Sequence, residues 1–419
     1  MADRMESDSI GTLSIPNDVY WGIHTARAVE NFSVSGLKWP GEFVTGFAWV
    51  KLACAQTNLD LGYLDGQIGD PIIRACRELI AGKLHDQIVV DPYQGGAGTS
   101  TNMNINEVIA NRALELLGLP KSSYYHVDPI DHVNMHQSTN DVFPTALKVT
   151  VLFLLKELEQ TMARLQESFQ EKENLFRDVI KVGRTQLQDA VPMTLGMTFG
   201  AWSEALARDR WRIFKCRERI KQINLGGTAI GTGLGAPKKY IFQAAKNLRN
   251  LTGLNVSRSE NLLDATQNLD SFTEVSGMLK SCAVNLLKIS GDLRLLSSGP
   301  DSGFMEIKLP SVQAGSSIMA GKVKPVIPEM VSQVAMQVMG NDQIIAGAAA
   351  AGNLELNQFF PVIAWNILQS LQLLLNGSTL FRERCVDGIE ASQNKCAENV
   401  MNGKSIATIL VPGLGYAKV

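Results

Sequence analysis

The sequence predicts a mainly helical protein with a bundle of long helices in the middle of the chain. Three stretches repeat apolar residues at three-to-four spacing over many turns, which is the period of a helix with one buried face. Alternation of apolar and polar residues, the pattern of half-buried strands, is scarce, so no large sheet is expected. The length of 419 residues, at about 150 residues per domain, predicts two or three domains.

Five long helices are expected. Pro144 is placed in the first turn of the first helix, where a missing N–H costs no hydrogen bond. The third helix stops at Ser298-Gly299-Pro300, because glycine and proline end a helical pattern. Each helix exceeds the mean length of about 11 to 12 residues, as a bundle requires. The predicted ranges are Leu147 to Phe169, about 190–223, Phe272 to Leu296, about 326–340, and 361–383.

The charge balance excludes some classes of partner. Lys and Arg total 39 and Asp and Glu total 41, so no basic surplus points to nucleic acid or to an anionic membrane. The charged fraction of 19% lies below the roughly 25% of ordinary soluble domains. With 45% hydrophobic residues, a long chain of this kind is expected to hide surface in a subunit interface.

Two features argue against a membrane protein and a secreted one. The longest charge-free stretch, Leu356 to Phe381, contains amide side chains that are costly in lipid, so it is predicted to be a helix buried in protein. The charged start of the chain lacks the apolar core of a secretory signal. The six cysteines have no metal-ligand spacing, and reduced, mostly buried thiols are expected. We therefore predict a cytoplasmic protein with no metal site.

Five polar, glycine-rich segments with few charged residues lie before or between the predicted helices. Surface loops usually carry charge, whereas these segments offer hydroxyls, amides and adaptable backbone, which together hold an anion through many neutral donors. The segments are Gln94–Asn102, His136–Asp141, Gly183–Asp189, Gly226–Gly233 and Gly315–Pro325.

Pattern alone leaves several readings of the motifs open. Gly315–Lys322 approaches a phosphate-binding P-loop, but Val323 stands where magnesium needs a Ser or Thr, which disfavours an NTPase. Gly231–Gly235 is weakly similar to a dinucleotide loop, and a plain turn fits it better. His132 and His136 are four residues apart without the spacing of a zinc site, so ordinary hydrogen-bonded histidines are expected.

The Gly315–Pro325 segment is equally compatible with an anion-binding loop and with a turn that links two helices. Its paired serines offer a nucleophile or a base. A serine acts as a base only when it is ionised, and nearby cations and backbone N–H groups stabilise an alkoxide. Lys322 and Lys324 supply positive charge in the same segment.

Taken together, the five segments resemble the aspartase/fumarase superfamily, and within it the aspartate ammonia-lyase branch. The resemblance runs from about Ile15-Pro16 to the end of the chain. The run GSSIMAGKVKPVIPE is similar to that family's GSSxMPxKxNPVxPE, and all five runs occur in the family's order. The other four runs are QGGAGTSTNMNINEVIANRALELLG, HVNMHQSTNDVFPTA, GRTQLQDAVPMTLG and GTAIGTGL.

The resemblance implies a fold of three mostly helical domains, in which four subunits pool their central helices into one bundle. On that pattern we predict an N-terminal domain over residues 1–138 and a central long-helix domain over 139–394. Residues 395–419 would be the start of a truncated small C-terminal domain. Each active site gathers loops from three subunits of a homotetramer. The expected partner is a small dicarboxylate or amino-acid substrate, with no nucleic acid and no membrane.

The resemblance also implies the reaction, a reversible anti-elimination of ammonia from L-aspartate to give fumarate, without a metal or an organic cofactor. Ser316 matches the general base, which removes a proton from the carbon beside a carboxylate, and Ser317 matches a donor near that base. Gln186 and Lys324 occupy further positions of the substrate site. The residues that match the carboxylate-binding set are Thr99, Ser138, Thr139, Asn140, Thr185 and Lys322.

Gln186 helps to separate the branches of the superfamily. The fumarase pattern has His there, which serves water activation together with a glutamate that matches Glu329. Because a glutamine side chain cannot carry the proton, Gln186 favours an amine over water as the leaving group. Hydration and dehydration of fumarate and malate, as in class II fumarases, is the alternative activity.

Three residues depart from the family pattern and leave an impaired homologue as a second alternative. Ala320 replaces a proline, which loosens the loop. Lys324 replaces a neutral, substrate-binding asparagine, and Asp301 replaces an arginine. The C-terminal part is also shorter than that of the family, which we expect to bear on activity.

Overall fold

A computed structural model of the chain describes residues 3–319 and 321–419. It confirms the mainly helical fold class, and Ala320 lies outside the described residues. A π-helical turn, Pro129–Val133, precedes the longest helix. The helices are α1 Ile23–Asn31, α2 Gly41–Asp60, α3 Gly66–Ile80, α4 Thr99–Leu116, α5 Thr139–Leu175, α6 Leu195–Ile220, α7 Lys238–Thr252, α8 Leu262–Gln267, α9 Asp270–Leu296, α10 Val326–Ala350, α11 Phe360–Arg384, α12 Gln393–Asn402 and α13 Val411–Leu414.

In the described part of the chain, strands form only two-stranded sheets, as the scarcity of alternating patterns predicts. Three pairs are antiparallel, and β5 pairs with β6 in parallel. The strands are β1 Arg4–Asp8, β2 Gly11–Ile15, β3 Ile180–Thr185, β4 Gln188–Thr194, β5 Gln222–Ile223, β6 Ser257–Arg258, β7 Ile307–Lys308 and β8 Glu390–Ala391.

Helix α5 begins at Thr139, earlier than its apolar pattern predicts, and Pro144 lies beyond the first turn. A proline inside a helix removes the N–H that would bond to the carbonyl four residues before it. Here that carbonyl belongs to Asn140, and it accepts a hydrogen bond of 2.9 Å from Asn224 Nδ2 instead. The helix tolerates Pro144 because a side chain from another segment replaces the lost bond.

The second predicted helix, about 190–223, is partly wrong. Its first residues form strand β4, and helix α6 begins at Leu195. Thr194 marks the boundary, because its Oγ1 accepts a hydrogen bond from the Met197 N–H and so caps the new helix. The other three long helices lie close to their predicted ranges, and α10 continues to Ala350 through an alanine-rich segment.

The chain divides into two compact units. The first comprises the chain up to Leu155 together with Cys216–Ser276 and Asn341–Gln369. In its core, α2 packs against α3 and α7. An aromatic cluster lies at this core, in which the ring centroid of Phe143 is 5.3 Å from that of Phe43 and 6.2 Å from that of Phe360.

The second unit comprises Lys156–Lys215, Gly277–Gly340 and Ser370–Val419. Its core is built from the helical faces that the three-to-four spacing predicts. The ring of Phe169 lies 5.9 Å from that of Phe199 and 6.1 Å from that of Phe381, so α5, α6 and α11 meet at this point.

Two further expectations can be compared with the structure. All six cysteines are buried and free of disulfides, as predicted. Among the described residues, no helix combines the length and the apolar content that a membrane span needs.

Candidate active site

Thr99 is the first residue of helix α4 in the first unit. The glycine-rich turn before it holds Gly96, Ala97 and Gly98 at positive φ, with Gly98 at 95°. A Cβ at Gly98 would lie 2.3 Å from the ring of Phe143, so a side chain there is excluded by space as well as by conformation. The Thr99 hydroxyl is exposed and donates to the Gly96 carbonyl at 2.7 Å. The turn therefore presents a hydroxyl at the positive end of a long helix.

Ser138, Thr139 and Asn140 lie at the start of helix α5 in the same unit. Ser138 Oγ accepts a bond of 3.2 Å from the Asn140 N–H, and Asp141 Oδ1 accepts one of 3.1 Å from the Ser138 N–H. The two bonds form a variant of the capping box, in which aspartate replaces the usual glutamate and the serine hydroxyl accepts from the second residue of the helix rather than the third. The local sequence S-x-x-D thus holds three predicted site residues at a helix N-terminus.

Asp141 also joins this helix start to the Gly226–Gly233 segment. Its Oδ2 accepts bonds from the Gly226 and Thr228 N–H groups at 3.1 and 2.9 Å. Asn140 Nδ2 donates to the Ala229 carbonyl at 2.7 Å. The structure therefore brings together two of the polar segments that the sequence singles out.

Burial raises the pKa of the Asp141 carboxyl to about 7, although three backbone N–H groups oppose the shift. The folded chain then holds a proton that the unfolded chain, at the ordinary pKa of 3.8, has released. Stability is expected to fall as pH rises from about 4 to about 7, by an amount on the order of a few kcal/mol. Asp141→Asn should flatten this part of the profile, and Asp65→Asn, which changes an exposed cap of α3, should not. Urea unfolding across that pH range measures the slopes, and equal slopes in wild type and Asp141→Asn would contradict the expectation.

A buried polar network contacts the hydroxyl of Thr139. Asn102, one turn after Thr99 on α4, donates through Nδ2 to Thr139 Oγ1 and to Asn134 Oδ1, both at 3.1 Å. Lys51 is buried in α2 and donates to Asn134 Oδ1 at 3.0 Å and to Gln137 Oε1 at 2.8 Å. Burial lowers the pKa of Lys51 to about 8. The network links the two helix starts that carry Thr99 and Thr139.

Sequence reasoning missed Lys51, Asn102 and Asn134. One signal was available, because Lys51 is the single charge in the apolar run FAWVKLACA. A buried lysine needs partners that satisfy its donors, so its place in that run indicates a polar network. Asn102 ends the polar segment Gln94–Asn102, but nothing in that segment indicates its bonds, and Asn134 lies in a turn, where an amide is ordinary.

Thr185 and Gln186 lie in the second unit, at the turn of the β3–β4 hairpin. Thr185 pairs with Gln188, and the two residues between them, Gln186 and Leu187, have φ of 53° and 61°. Positive φ at both central positions is the geometry of a type I′ turn, which usually requires glycine or asparagine. Backbone strain of this kind costs about 1–2 kcal/mol per residue and concentrates at functional sites. Both Thr185 and Gln186 are exposed at the tip.

The Gly315–Pro325 segment of the second unit folds back on itself. Ser316 N–H donates to the Lys322 carbonyl at 3.2 Å. A Cβ at Gly315 would lie 2.0 Å from that carbonyl oxygen, so the closure requires glycine. Ser316 Oγ accepts bonds from the Ile318 and Met319 N–H groups at 3.2 and 3.1 Å. Two donors aimed at one hydroxyl oxygen stabilise negative charge on it.

Lys322 and Lys324 of the Gly315–Pro325 segment are exposed and line a cavity of about 590 Å³. Lys308 and Asp301 line the same cavity. Lys322, Lys324 and Lys308 together outweigh the single carboxylate, so the cavity favours an anion. Two departures from the family pattern, Asp301 and Lys324, therefore share one cavity with Lys322.

The predicted site residues fall into local groups. The first unit contains Thr99 and Ser138–Asn140, linked through Asn102, and the second contains the hairpin turn and the loop of Ser316, Ser317, Lys322 and Lys324. Within the described residues of the second unit, no hydrogen bond joins the hairpin turn to that loop. No group of three or more His, Cys, Asp or Glu side chains in the described ranges is arranged to hold a metal ion.

Relatives and solved structures match nearly the whole chain, and a family model matches most of it. A family model described as lyase matches residues 11–340. An aspartate ammonia-lyase from Bacillus subtilis (strain 168) is 49% identical over 413 residues, which cover 99% of this chain and 87% of the relative. A solved fumarate lyase:delta crystallin from Brucella melitensis superposes with a TM-score of 0.96 at 49% identity, covering 99% of this chain and 91% of that one. A class II fumarase from Schistosoma mansoni superposes with a TM-score of 0.95 at 34% identity, over 99% and 91% of the two chains.

Proposed function

This chain belongs to the lyase family whose model it matches, and on that premise we propose that it is a carbon–nitrogen lyase that converts L-aspartate reversibly to fumarate and ammonia. The observation that carries the proposal is the 49% identity to an aspartate ammonia-lyase over 99% of the chain. The retained hydroxyl and amide segments support it, because they provide donors for both carboxylates of such a substrate.

Ser316 is the general base of the proposed reaction. Its alkoxide takes a proton from C3 of aspartate, and the electrons of the broken C–H bond move into the adjacent carboxylate as an enediolate. The enediolate then collapses to the C2–C3 double bond while the C2–N bond breaks and ammonia leaves. The two N–H groups that donate to Ser316 Oγ support this role, because they stabilise the charged oxygen that the first step needs.

The substrate carboxylates are held by neutral donors and by lysine. Thr99 and Ser138–Asn140 act from two helix N-termini, where the helix dipole also favours an anion. Thr185 and Gln186 act from the hairpin tip, and Lys322 supplies the charge that offsets the enediolate. Ser317 and Lys324 complete the set. In the family arrangement, different subunits contribute these groups to one site.

An amine is the leaving group rather than water. Gln186 cannot accept a proton, so the water-activating position of the fumarase pattern has no base here. The sequence identities support the same assignment, since the chain is 49% identical to the aspartate ammonia-lyase and 34% identical to the class II fumarase.

We extend the proposal to a cytoplasmic homotetramer that pools its long helices. Apolar side chains of the second unit support it, since Trp211, Val284 and Met336 on α6, α9 and α10 are more than 40% exposed. A subunit interface formed by these three helices would bury the side chains.

An assay of the purified protein tests the activity. With L-aspartate, the ultraviolet absorbance of fumarate should rise, and with L-malate under the same conditions it should stay flat. A rise with malate alone would instead support the fumarase alternative. If neither substrate reacts, Lys324→Asn, which restores the family's amide, distinguishes an impaired homologue, which regains activity, from a wrong assignment, which does not.

A further inference from the structure

Glu306 is a buried carboxylate beside the predicted site that the proposed reaction does not use. It has no exposed surface, and two cations of strand β3 reach it. Arg184 Nη1 lies 2.7 Å from its Oε1, and Lys181 Nζ lies 3.1 Å from its Oε2. A buried charge persists only when it is compensated, so these three residues depend on one another.

Arg184 connects this ion cluster directly to the hairpin turn. It precedes Thr185, the residue proposed to bind substrate, and its guanidinium also stacks 4.4 Å over the ring of Phe304. The turn that follows is strained, with Gln186 and Leu187 both at positive φ. A strained turn keeps its shape only if its surroundings hold it, and in the hairpin Arg184 is the nearest residue with a buried ionic partner.

Glu306 is held in turn by the C-terminal segment. Its carbonyl accepts a bond of 2.9 Å from the Ser392 N–H, and its Oε1 accepts one of 3.3 Å from Asn399 Nδ2 on α12. The Cys396 thiol donates to the same carbonyl at 3.6 Å. One carboxylate residue thus connects the substrate-binding hairpin with helix α12.

We propose that Glu306 is a positioning residue for substrate binding, which fixes the Thr185–Gln186 turn through Arg184 and couples that turn to α12. The proposal rests on the proposed function, in which Thr185 and Gln186 bind a carboxylate of the substrate. Without the charge of Glu306, Lys181 would lose the carboxylate that lies 3.1 Å from it, and Arg184 would keep only the exposed Asp189, whose Oδ1 lies 3.6 Å from its Nε. The two cations would then repel each other, and the turn would lose its buried ionic support.

Glu306→Gln tests this role against a matched control. Asp209→Asn neutralises another fully buried carboxylate of the same unit, which accepts from Arg212 at 2.6 Å and from Asn285 at 2.8 Å but lies away from the hairpin in sequence and bonding. Glu306→Gln should raise KM for aspartate about tenfold and leave kcat within about threefold. The reason is that the hairpin residues, which bind a substrate carboxylate, stabilise the bound substrate and the transition state alike. Asp209→Asn should lower stability and leave KM unchanged.

Hydrogen exchange supplies a readout that does not need activity. The amides of the β3–β4 hairpin should exchange faster in Glu306→Gln than in wild type, and at the wild-type rate in Asp209→Asn. If Glu306→Gln does not fold, Asn399→Ala removes one bond to the same Oε1 and should shift KM and exchange in the same direction by less.

The possible outcomes separate this proposal from the proposed function. An unchanged KM together with unchanged hairpin exchange would overturn the positioning role, and so would equal effects in Glu306→Gln and Asp209→Asn. If wild type does not convert aspartate, the proposed function fails, while the exchange rates still decide whether Glu306 holds the hairpin.

Discussion

Replacing Ser316 by alanine is expected to lower kcat for aspartate by about 10²–10⁴-fold, which is the usual contribution of a general base. KM should change little, because the base acts on the C3 proton only as the transition state forms. The two N–H groups that now donate to Ser316 Oγ lie in an exposed loop, where water can replace the oxygen. Steady-state kinetics with fumarate absorbance measures the effect.

The neighbouring serine provides the control. Ser317 is the next residue of the same loop and is exposed, so Ser317→Ala tests the cost of removing a hydroxyl from this segment. It should lower kcat far less than Ser316→Ala. Similar losses of kcat in both variants, or a nearly wild-type kcat in Ser316→Ala, would show that Ser316 is not the general base.

Replacing Lys322 by methionine should lower kcat/KM for aspartate by about 10²–10³-fold, which is typical of removing one preorganised stabiliser of transition-state charge. Methionine keeps an unbranched side chain as far as Cε and removes the ammonium group. Because the charge on the carboxylate grows in the enediolate, most of the loss should appear in kcat. Steady-state kinetics at several salt concentrations measures the loss and its electrostatic component.

Lys308 supplies the matched control for this variant, since it lines the same cavity from outside the loop. Lys308→Met removes an equal charge and should change kcat/KM only modestly, through the general potential of the cavity. If the two variants lose activity equally, Lys322 contributes only to that potential and does not contact the reacting carboxylate.

Much of the fold can be predicted from the sequence, because long helices with one buried face leave a clear three-to-four pattern. The start of α5 could not, since it depends on Asn224 Nδ2, which replaces the bond that Pro144 removes from the Asn140 carbonyl. The start of α6 could not either, because Thr194 caps a helix only after Pro192 and its neighbours pair with β3.

The residues of the candidate site also fall into those that the sequence predicts and those that it does not. Residues that present hydroxyls or charge in glycine-rich loops, such as Thr99 and Ser316, stand out in the sequence. Residues that hold these loops do not, because their role comes from contacts between distant segments. Asp141 accepts from residues 85 and 87 positions away, and Glu306 meets Arg184 across 122 positions. The local sequence S-x-x-D indicates only the bond between Asp141 and Ser138, and nothing near Glu306 in the sequence indicates its partners.

One experiment in D₂O tests the central claim most directly. The protein is given fumarate together with an ammonium salt, so that ammonia and water compete for the same double bond, and the products are followed by proton NMR. Ammonia lyase chemistry with anti geometry predicts L-aspartate that carries one deuteron at C3 in a single diastereomer, with no malate. Formation of deuterated malate instead of aspartate, or of aspartate labelled in both diastereomers, would contradict it.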